Sequence, residues 1–339
     1  MTKLAIFVAA VAAALAAGAA DAQDQSAQEM KFFRIASGSA GGTYFPIAGI
    51  LAQAISNPPG ARPCDKGGSC GVEGLVAIAQ SSNGSVANAK AVEAGQVESG
   101  LAQSDVAFWA YSGTGVFEGE EKKEKLRVIA SLYPEHVHVV ARGDGGIETL
   151  SDLKGKTIGI GLPASGAIVD ARIVLEAADL KESEDYTPEY LNSADSIARI
   201  REGRADAMIA VTGYPQPAVA DLTSTAGGTL IPVDGTVRDK ILAENSFFTK
   251  ATIPGGTYKG NPEDIETVAV TALWITSMDQ SEELIYAITK ALWNDSTRML
   301  LDGSHAKGKS ITLETALDGV PIPLHAGAEL FYREAGLIP

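Results

Sequence analysis

A glycine-rich turn at positions 38–42 is followed directly by Thr43 and Tyr44, whose backbone amides and hydroxyls suit a small anion. Residues 33–36 before the turn have the composition of a strand. After it, apolar residues recur every three to four positions, which predicts a helix to residue 55. Such a turn presents backbone N–H groups at the positive end of a helix dipole. The sequence therefore predicts anion binding at Gly42, Thr43 and Tyr44, although many such turns serve only the fold.

A second element of the same kind lies in the middle of the chain. Residues 157–161 are predicted to form a strand, 161–166 a turn of small residues, and the following stretch a helix to about residue 178. Ser165 and Gly166 stand where this helix begins. In open α/β sheets, ligands bind beyond the carboxyl ends of the strands. Two such elements facing each other would form a cleft that closes around a small molecule.

An enzyme with Ser165 as nucleophile is one alternative to a binding protein, and the less favoured one. A nucleophile elbow requires glycine two residues before and two residues after the serine, and this chain has Pro163 and Ala167 there. The sequence shows neither a carboxylate pair nor a metal-binding triad. We therefore predict no catalysis, no metal and no cofactor.

The N-terminus has the features of an export signal. Lys3 precedes an alanine-rich apolar run at 4–20, and Ala20, Asp21 and Ala22 fit a small-x-small cleavage pattern. We predict a signal peptide over 1–22, cleaved near Ala22, and a disordered leader over 23–30; a retained membrane anchor is the alternative. No later run approaches the ~20 apolar residues of a membrane span. The mature protein is therefore predicted to be periplasmic and not membrane-embedded.

Two cysteines, Cys64 and Cys70, bracket a loop of turn-forming residues. In an oxidising compartment this spacing favours a disulfide. A metal pair is the alternative, but it needs further ligands, and the four histidines have no zinc-type spacing relative to these cysteines. We predict a Cys64–Cys70 disulfide that stiffens a surface loop.

Composition limits the organisation and the partners. A chain of 339 residues with 45% hydrophobic residues exceeds one typical core, so two domains are expected. The formal net charge of −15 argues against nucleic acid and anionic membrane surfaces as partners.

Strand and helix patterns alternate along the chain, which indicates an α/β fold with a parallel sheet. Ser104 and Asp105 are predicted to cap one helix. Further strands are predicted at 75–79, 99–103, 127–131, 136–141, 205–211 and 268–275, and further helices at 85–94, 106–112, 193–202, 281–293 and 325–336.

Five stretches spread over nearly the whole chain carry a family resemblance. They are SGSAGGTYFPIAGILA at 37, QSSNGSVANAKAVEAGQVESGLAQSD at 80, SDLKGKTIGIGLPASG at 151, GRADAMIAVTGYPQPAVADL at 203 and IPLHAGAELFYREAGL at 322. The chain resembles the TAXI-family solute-binding proteins of tripartite ATP-independent periplasmic (TRAP) transporters. One departure is Ala326 after His325, where the family usually has proline.

The resemblance implies a type II periplasmic-binding-protein fold, in which hinge strands join two α/β lobes with a ligand cleft between them. It places lobe 1 at 31–135 plus 250–339 and lobe 2 at 136–249. It implies a monomer that captures a small organic anion and delivers it to TRAP membrane permease subunits, which are often fused in this subfamily. The implied ligands are dicarboxylates, 2-oxo acids and amino acids, such as glutamate or 2-oxoglutarate. An exported sensor that signals to a membrane protein is the alternative.

The family's cleft residues correspond to a defined set of positions in this chain. They are Gly42, Thr43, Tyr44, Asn83, Gln103, Ala164, Ser165, Gly166 and Tyr214. Backbone amides in this set suit a carboxylate, and the two side-chain amides can each donate and accept hydrogen bonds. Arg142 and Arg172 are candidate charge partners, although surface ion pairs are the favoured interpretation of both.

Overall fold

The computed structural model describes residues 30–339, so the predicted signal peptide and nearly all of the predicted leader lie outside the described residues. The strands are β1 (Lys31–Ala36), β2 (Ser56–Asn57), β3 (Val72–Glu73), β4 (Leu75–Gln80), β5 (Ser99–Gln103), β6 (Leu126–Ala141), β7 (Thr157–Gly159), β8 (Thr187–Glu189), β9 (Ala207–Thr212), β10 (Thr229–Ile231), β11 (Thr249–Ile253) and β12 (Ile265–Ser277). The helices are α1 (Tyr44–Ile55), α2 (Ser85–Glu93), α3 (Ser104–Ser112), α4 (Gly166–Ala177), α5 (Ser193–Arg201), α6 (Pro217–Thr225), α7 (Gly235–Glu244), α8 (Glu282–Leu292), α9 (Asp295–Ser304) and α10 (Ala326–Glu334). Short 3-10 helices lie at Cys64–Lys66, Gly115–Phe117, Leu150–Leu153 and Ala306–Ser310.

One sheet runs through the described chain in the order β4-β1-β5-β12-β6-β9-β7-β8, with β10 paired to β6 and β11 paired to β12. Strands β4, β1 and β5 are parallel, and so are β8, β7 and β9. We call these two parallel groups, with the helices that follow their strands, the β5 side and the β9 side. Strands β12 and β6 are antiparallel to their neighbours and join the two sides.

Strand β6 is the longest element that the sequence did not predict as one unit. The sequence predicts two strands, 127–131 and 136–141, because Pro134 and Glu135 interrupt the apolar pattern. The structure continues the strand through both residues, since Pro134 and Glu135 pair with β12 in an antiparallel ladder. Beyond His136 the strand pairs with β9, and at residues 139–141 also with β10. The change of partner makes β6 one of the two connections between the sides.

Two apolar clusters hold the β5 side together. One packs α1, α8 and α10 on the outer face of the sheet around Trp274, whose indole N–H donates to the Ser99 hydroxyl at 3.0 Å. The other lies on the opposite face and continues from Val106 and Val128 across β6 to Val139 and Val174 on the β9 side. Apolar burial therefore extends from one side of the sheet to the other.

The predicted disulfide between Cys64 and Cys70 is present and closes a short loop after β2. Among residues 30–339, no helix is long and apolar enough to cross a membrane.

Replacing Gly49 by alanine should raise the free energy of unfolding by about 1 kcal/mol. Gly49 lies in the interior of α1 on its exposed face, and a Cβ atom there would have no atom within 4 Å. Alanine loses less backbone entropy than glycine on entering a helix, and the difference is about 1 kcal/mol. Urea unfolding of both proteins measures the effect, and an unchanged or lower free energy would contradict it.

Candidate functional site

A cavity of about 90 Å³ lies where the carboxyl ends of strands from the two sides meet. From the β5 side and β6, the lining residues are Gly38, Ser39, Gly42, Thr43, Tyr44, Asn83, Gly84, Ser85, Gln103 and Glu135. From the β9 side they are Gly161, Leu162, Ser165, Gly166, Ala167, Leu191, Asn192, Ser193, Ser196, Ile209, Ala210, Val211, Thr212 and Gln216. Both sides therefore contribute to a single small chamber.

Seven of the nine predicted ligand-binding residues line this cavity, namely Gly42, Thr43, Tyr44, Asn83, Gln103, Ser165 and Gly166. Ala164 and Tyr214 are not among the lining residues. The seven come together because each follows the carboxyl end of a strand, and these ends share one edge of the sheet.

The first predicted element, at the start of α1, joins the β9 side through a side chain. The Thr43 hydroxyl lies 2.7 Å from the Thr212 hydroxyl and donates to the Gly213 carbonyl at 3.1 Å. Thr43 makes no side-chain cap bond to α1. Its hydroxyl is therefore used to link the two sides, and its backbone N–H stands at the positive end of the helix.

The second predicted element, at the start of α4, is engaged in its own turn. The Ser165 hydroxyl donates to the Leu162 carbonyl at 2.7 Å and accepts from the Ile168 N–H at 3.2 Å, while the Ser165 N–H also donates to Leu162. Ser165 is thus the N-cap of α4. The next two residues, Gly166 and Ala167, begin the helix and line the cavity.

Ala164 contributes to the contact between the sides instead of to the cavity wall. Its backbone is left-handed, with φ 63°, and its carbonyl accepts from the Ala87 N–H in α2 at 3.0 Å. Asn83 makes a similar link, because its side-chain amide donates to the Pro163 carbonyl at 3.2 Å.

Both polar atoms of the Gln103 side-chain amide make hydrogen bonds. Its side-chain N–H donates to Asp170 Oδ2 in α4 at 2.6 Å, and its side-chain oxygen lies 3.3 Å from the Ser85 hydroxyl. The residue is buried, and its side chain lies directly against Gly166. Gln103 therefore reaches from the β5 side into the start of α4.

Tyr214 is not a lining residue and packs against His136 and Lys307. Its ring meets His136 edge-on at 4.7 Å between centroids, and the Lys307 Nζ lies 3.5 Å from the ring centroid. Burial lowers the pKa of Lys307 to about 8 and that of His136 to about 3, so this histidine is neutral at physiological pH. Tyr214 is thus held by a cation–π contact with a segment that follows α9.

Glu135, which sequence reasoning missed, is the acidic residue on the cavity wall. Its side chain is buried, and Oε2 accepts from the Tyr44 hydroxyl at 2.6 Å. Burial raises the pKa of Glu135 to about 8; the Tyr44 hydrogen bond and Lys307 oppose this rise, and Asp105 adds to it. The sequence signal that could have found Glu135 is its position between two predicted strands. If the two strands are one, the carboxyl group lies inside the sheet and needs a hydrogen-bond partner there.

No lysine or arginine is among the lining residues of the described chain. Arg142 pairs with Asp144 at 2.6 Å, and Arg172 pairs with Glu182 at 2.6 Å, both at least partly exposed. An anion in the cavity would therefore be held by backbone N–H groups and neutral side chains.

Several solved structures of bacterial proteins have a similar fold. MatC from Rhodopseudomonas palustris, solved with bound malate, superposes with a TM-score of 0.54 at 12% identity, covering 90% of this chain and 97% of MatC. A protein from Bordetella bronchiseptica RB50 gives 0.51 at 16% identity, covering 88% and 82%. A binding-protein component of an ABC phosphonate transporter from Pseudomonas aeruginosa gives 0.50 at 9% identity, covering 81% and 79%.

These likenesses confirm the predicted periplasmic-binding-protein fold, a mixed α/β architecture. MatC was solved with malate bound and the Pseudomonas aeruginosa protein is a transporter's binding-protein component; at 12% and 9% identity these likenesses show the fold alone. The model of the NMT1-like family matches residues 35–336, and the chain therefore belongs to the NMT1-like family.

Proposed function

We propose that the chain is an exported solute-binding protein of the TAXI type, which captures a small organic acid between two lobes and delivers it to a TRAP permease. The observation that carries the proposal is the small cavity shared by both sides of the sheet, with the starts of α1 and α4 at its wall. Helix N-termini bind carboxylates without a formal cation. The absence of lysine and arginine from the described lining fits this mode of binding.

The two lobes correspond in this proposal to the β5 side and the β9 side, joined by β6 and β12. The first crossing falls at His136, where β6 changes partner from β12 to β9. We place the second crossing near Ala269, beyond the predicted residue 250. The reason is that β11 pairs with the first part of β12, and Thr267 in that part donates to the Val137 carbonyl at 2.7 Å.

Closure of the lobes is the step that would retain the ligand. Thr43, Asn83 and Gln103 each make a hydrogen bond from the β5 side to the β9 side. These same residues line the cavity. A ligand that touches both walls would therefore favour the closed arrangement, which is the form that we propose the permease recognises.

A thermal-shift screen of the mature protein against dicarboxylates, 2-oxo acids and amino acids tests the proposal. A ligand that binds only the folded protein adds about 2.7 kcal/mol to the free energy of unfolding at a concentration 100 times its Kd. We expect at least one compound of these classes to raise the Tm. If no compound in the panel shifts it, the assignment to small organic acids is wrong.

A further inference from the structure

Two fully buried aspartates, one from the β5 side and one from the β9 side, lie near each other beside the cavity. Asp105 lies in the first turn of α3 on the β5 side, and Asp170 lies in α4 on the β9 side. Neither has any solvent-exposed surface. Each carboxyl group shifts the pKa of the other, so the two lie close together, and Gln103, two residues before Asp105, donates to Asp170 Oδ2 at 2.6 Å. The pair therefore exists only while the two sides are in contact.

The hydrogen bonding of the pair is incomplete unless it holds a proton. Asp170 Oδ2 accepts from Gln103, but Asp170 Oδ1 and both Asp105 oxygens have no well-aligned donor among the described residues. Backbone N–H groups at the start of α3 lie near enough to lower the pKa of Asp105 without completing its bonds. Buried carboxylate oxygens without donors are strongly unfavourable. If the pair shared one proton, one carboxyl group could donate a hydrogen bond to the other.

No cationic side chain between residues 30 and 339 forms an ion pair with Asp105 or Asp170. Glu135 on β6 further raises the pKa of Asp170, and Lys307 lowers the pKa of Glu135. The charged side chains of neighbouring helices are paired elsewhere: Lys90 with Glu120, Arg172 with Glu182, Arg238 with Glu266 and Lys240 with Asp179. Burial, and then Asp105, raises the pKa of Asp170 well above its ordinary value, and burial raises that of Asp105.

We propose that Asp105 and Asp170 share one proton, carried on Asp170 Oδ1 and donated to Asp105, and that this proton couples closure of the cleft to pH. The inference rests on the proposed function, because it describes how the same cleft is regulated. When the sides separate, water reaches both carboxyls and both ionise. Closure therefore takes up a proton, and the closed form is favoured as the pH falls.

The sign of the effect follows from the raised pKa of Asp170. Below about pH 4, the ordinary pKa of aspartate, the proton is bound in every state and adds no pH dependence. Above that value the closed, folded form retains a proton that the open or unfolded chain has released. The stability of this form then falls as the pH rises, until the raised pKa is reached. For each pH unit, the equilibrium constant for opening or unfolding increases by up to about tenfold.

Asp170→Asn is the decisive variant, because asparagine reproduces the protonated carboxyl. Its side-chain oxygen can accept from Gln103 and its amide can donate to Asp105 at every pH. Asp105→Asn is the second variant, should the first fold poorly, and Asp318→Asn is the control because Asp318 is exposed.

The free energy of unfolding is measured by urea titration between about pH 5 and 8, without ligand. We expect the ratio of the unfolding constants, wild type over Asp170→Asn, to rise by up to about tenfold per pH unit. The Asp318→Asn ratio should stay constant. A ratio for Asp170→Asn that does not change with pH would overturn the shared proton.

Small-angle scattering of the same samples tests the coupling to closure. The radius of gyration of the wild type should decrease from pH 8 to about pH 5, and that of Asp170→Asn should be small at both. Equal pH responses in the two proteins would overturn the coupling. Neither measurement contains a ligand, so failure here is distinguishable from failure of the ligand screen.

Discussion

Replacing Gly166 by alanine should weaken ligand binding roughly 10- to 100-fold without destabilising either side of the sheet. A Cβ atom at this position would lie 1.4 Å from Gln103 Oε1 and 2.8 Å from the Ser85 hydroxyl oxygen. Both neighbours belong to the β5 side, whereas Gly166 belongs to the β9 side. The steric conflict therefore exists only in the closed arrangement.

Gln103 cannot relieve this conflict cheaply, because it is buried and its side chain is bonded to Asp170 and lies beside Ser85. Alanine is also a better helix former than glycine, so α4 itself should not be weakened. We therefore expect the substitution to destabilise the closed state and to leave the folding of the chain unaffected.

Calorimetric titration with a compound identified in the screen measures the affinity, and thermal unfolding without ligand checks stability. Gly303→Ala in α9 is the matched control, since its Cβ atom would have no atom within 4 Å. In the double variant with Gln103→Ala, the loss should be smaller than the sum of the two single losses. Wild-type affinity in Gly166→Ala would show that binding does not require the contact of Gly166 with Gln103.

Local sequence patterns predicted the scaffold of the cavity because each pattern depends on neighbouring residues alone. The turns before α1 and α4 are encoded by small residues followed by helical periodicity. Strand ends of a parallel sheet share one edge, so Tyr44 and Ser165 are brought to a common cavity by topology. The sequence patterns did not predict which hydrogen bonds each side chain makes in the cavity. Ser165 is an example, because its hydroxyl caps α4.

The buried acids could not be predicted because their environment depends on contacts between distant segments. Asp105 was predicted as part of a helix cap, but Gln103 occupies the N-cap position and Asp105 is buried against α4. Glu135 falls in the gap between two predicted strands, and only pairing with β12 places it inside the sheet. In both cases the residue type is visible in the sequence, while the partner comes from more than 30 residues away.

The acid on the cavity wall also bears on the chemistry of the ligand. Glu135 Oε2 is occupied by the Tyr44 hydroxyl, and the described lining has no cation to compensate a second negative charge. A dicarboxylate would place one carboxylate near Glu135, which is unfavourable unless Glu135 is protonated. An amino acid would instead offer its ammonium group, which favours the ionised form of Glu135 and lowers its pKa from about 8.

Glu135→Gln should therefore weaken the binding of amino acids roughly 10- to 100-fold, because charge-assisted hydrogen bonds contribute about 1.5–3 kcal/mol. Glutamine keeps an acceptor for the Tyr44 hydroxyl, so the fold should be retained. The affinities of wild type and variant are compared for matched pairs, alanine with lactate, aspartate with malate and glutamate with 2-oxoglutarate.

In the wild type we expect the amino acid of at least one pair to bind more tightly than its partner, and in Glu135→Gln we expect this preference to be lost. Lactate, malate and 2-oxoglutarate should bind the variant about as well as the wild type, because a carboxyl with a pKa of about 8 is mostly uncharged at neutral pH, as glutamine is. Tighter binding of the acids without an amine by the wild type, and its weakening in Glu135→Gln, would show the opposite role. Glu135 would then be protonated in the complex and would donate to the ligand, as its raised pKa also permits. The variant thus decides which protonation state of Glu135 the cleft uses.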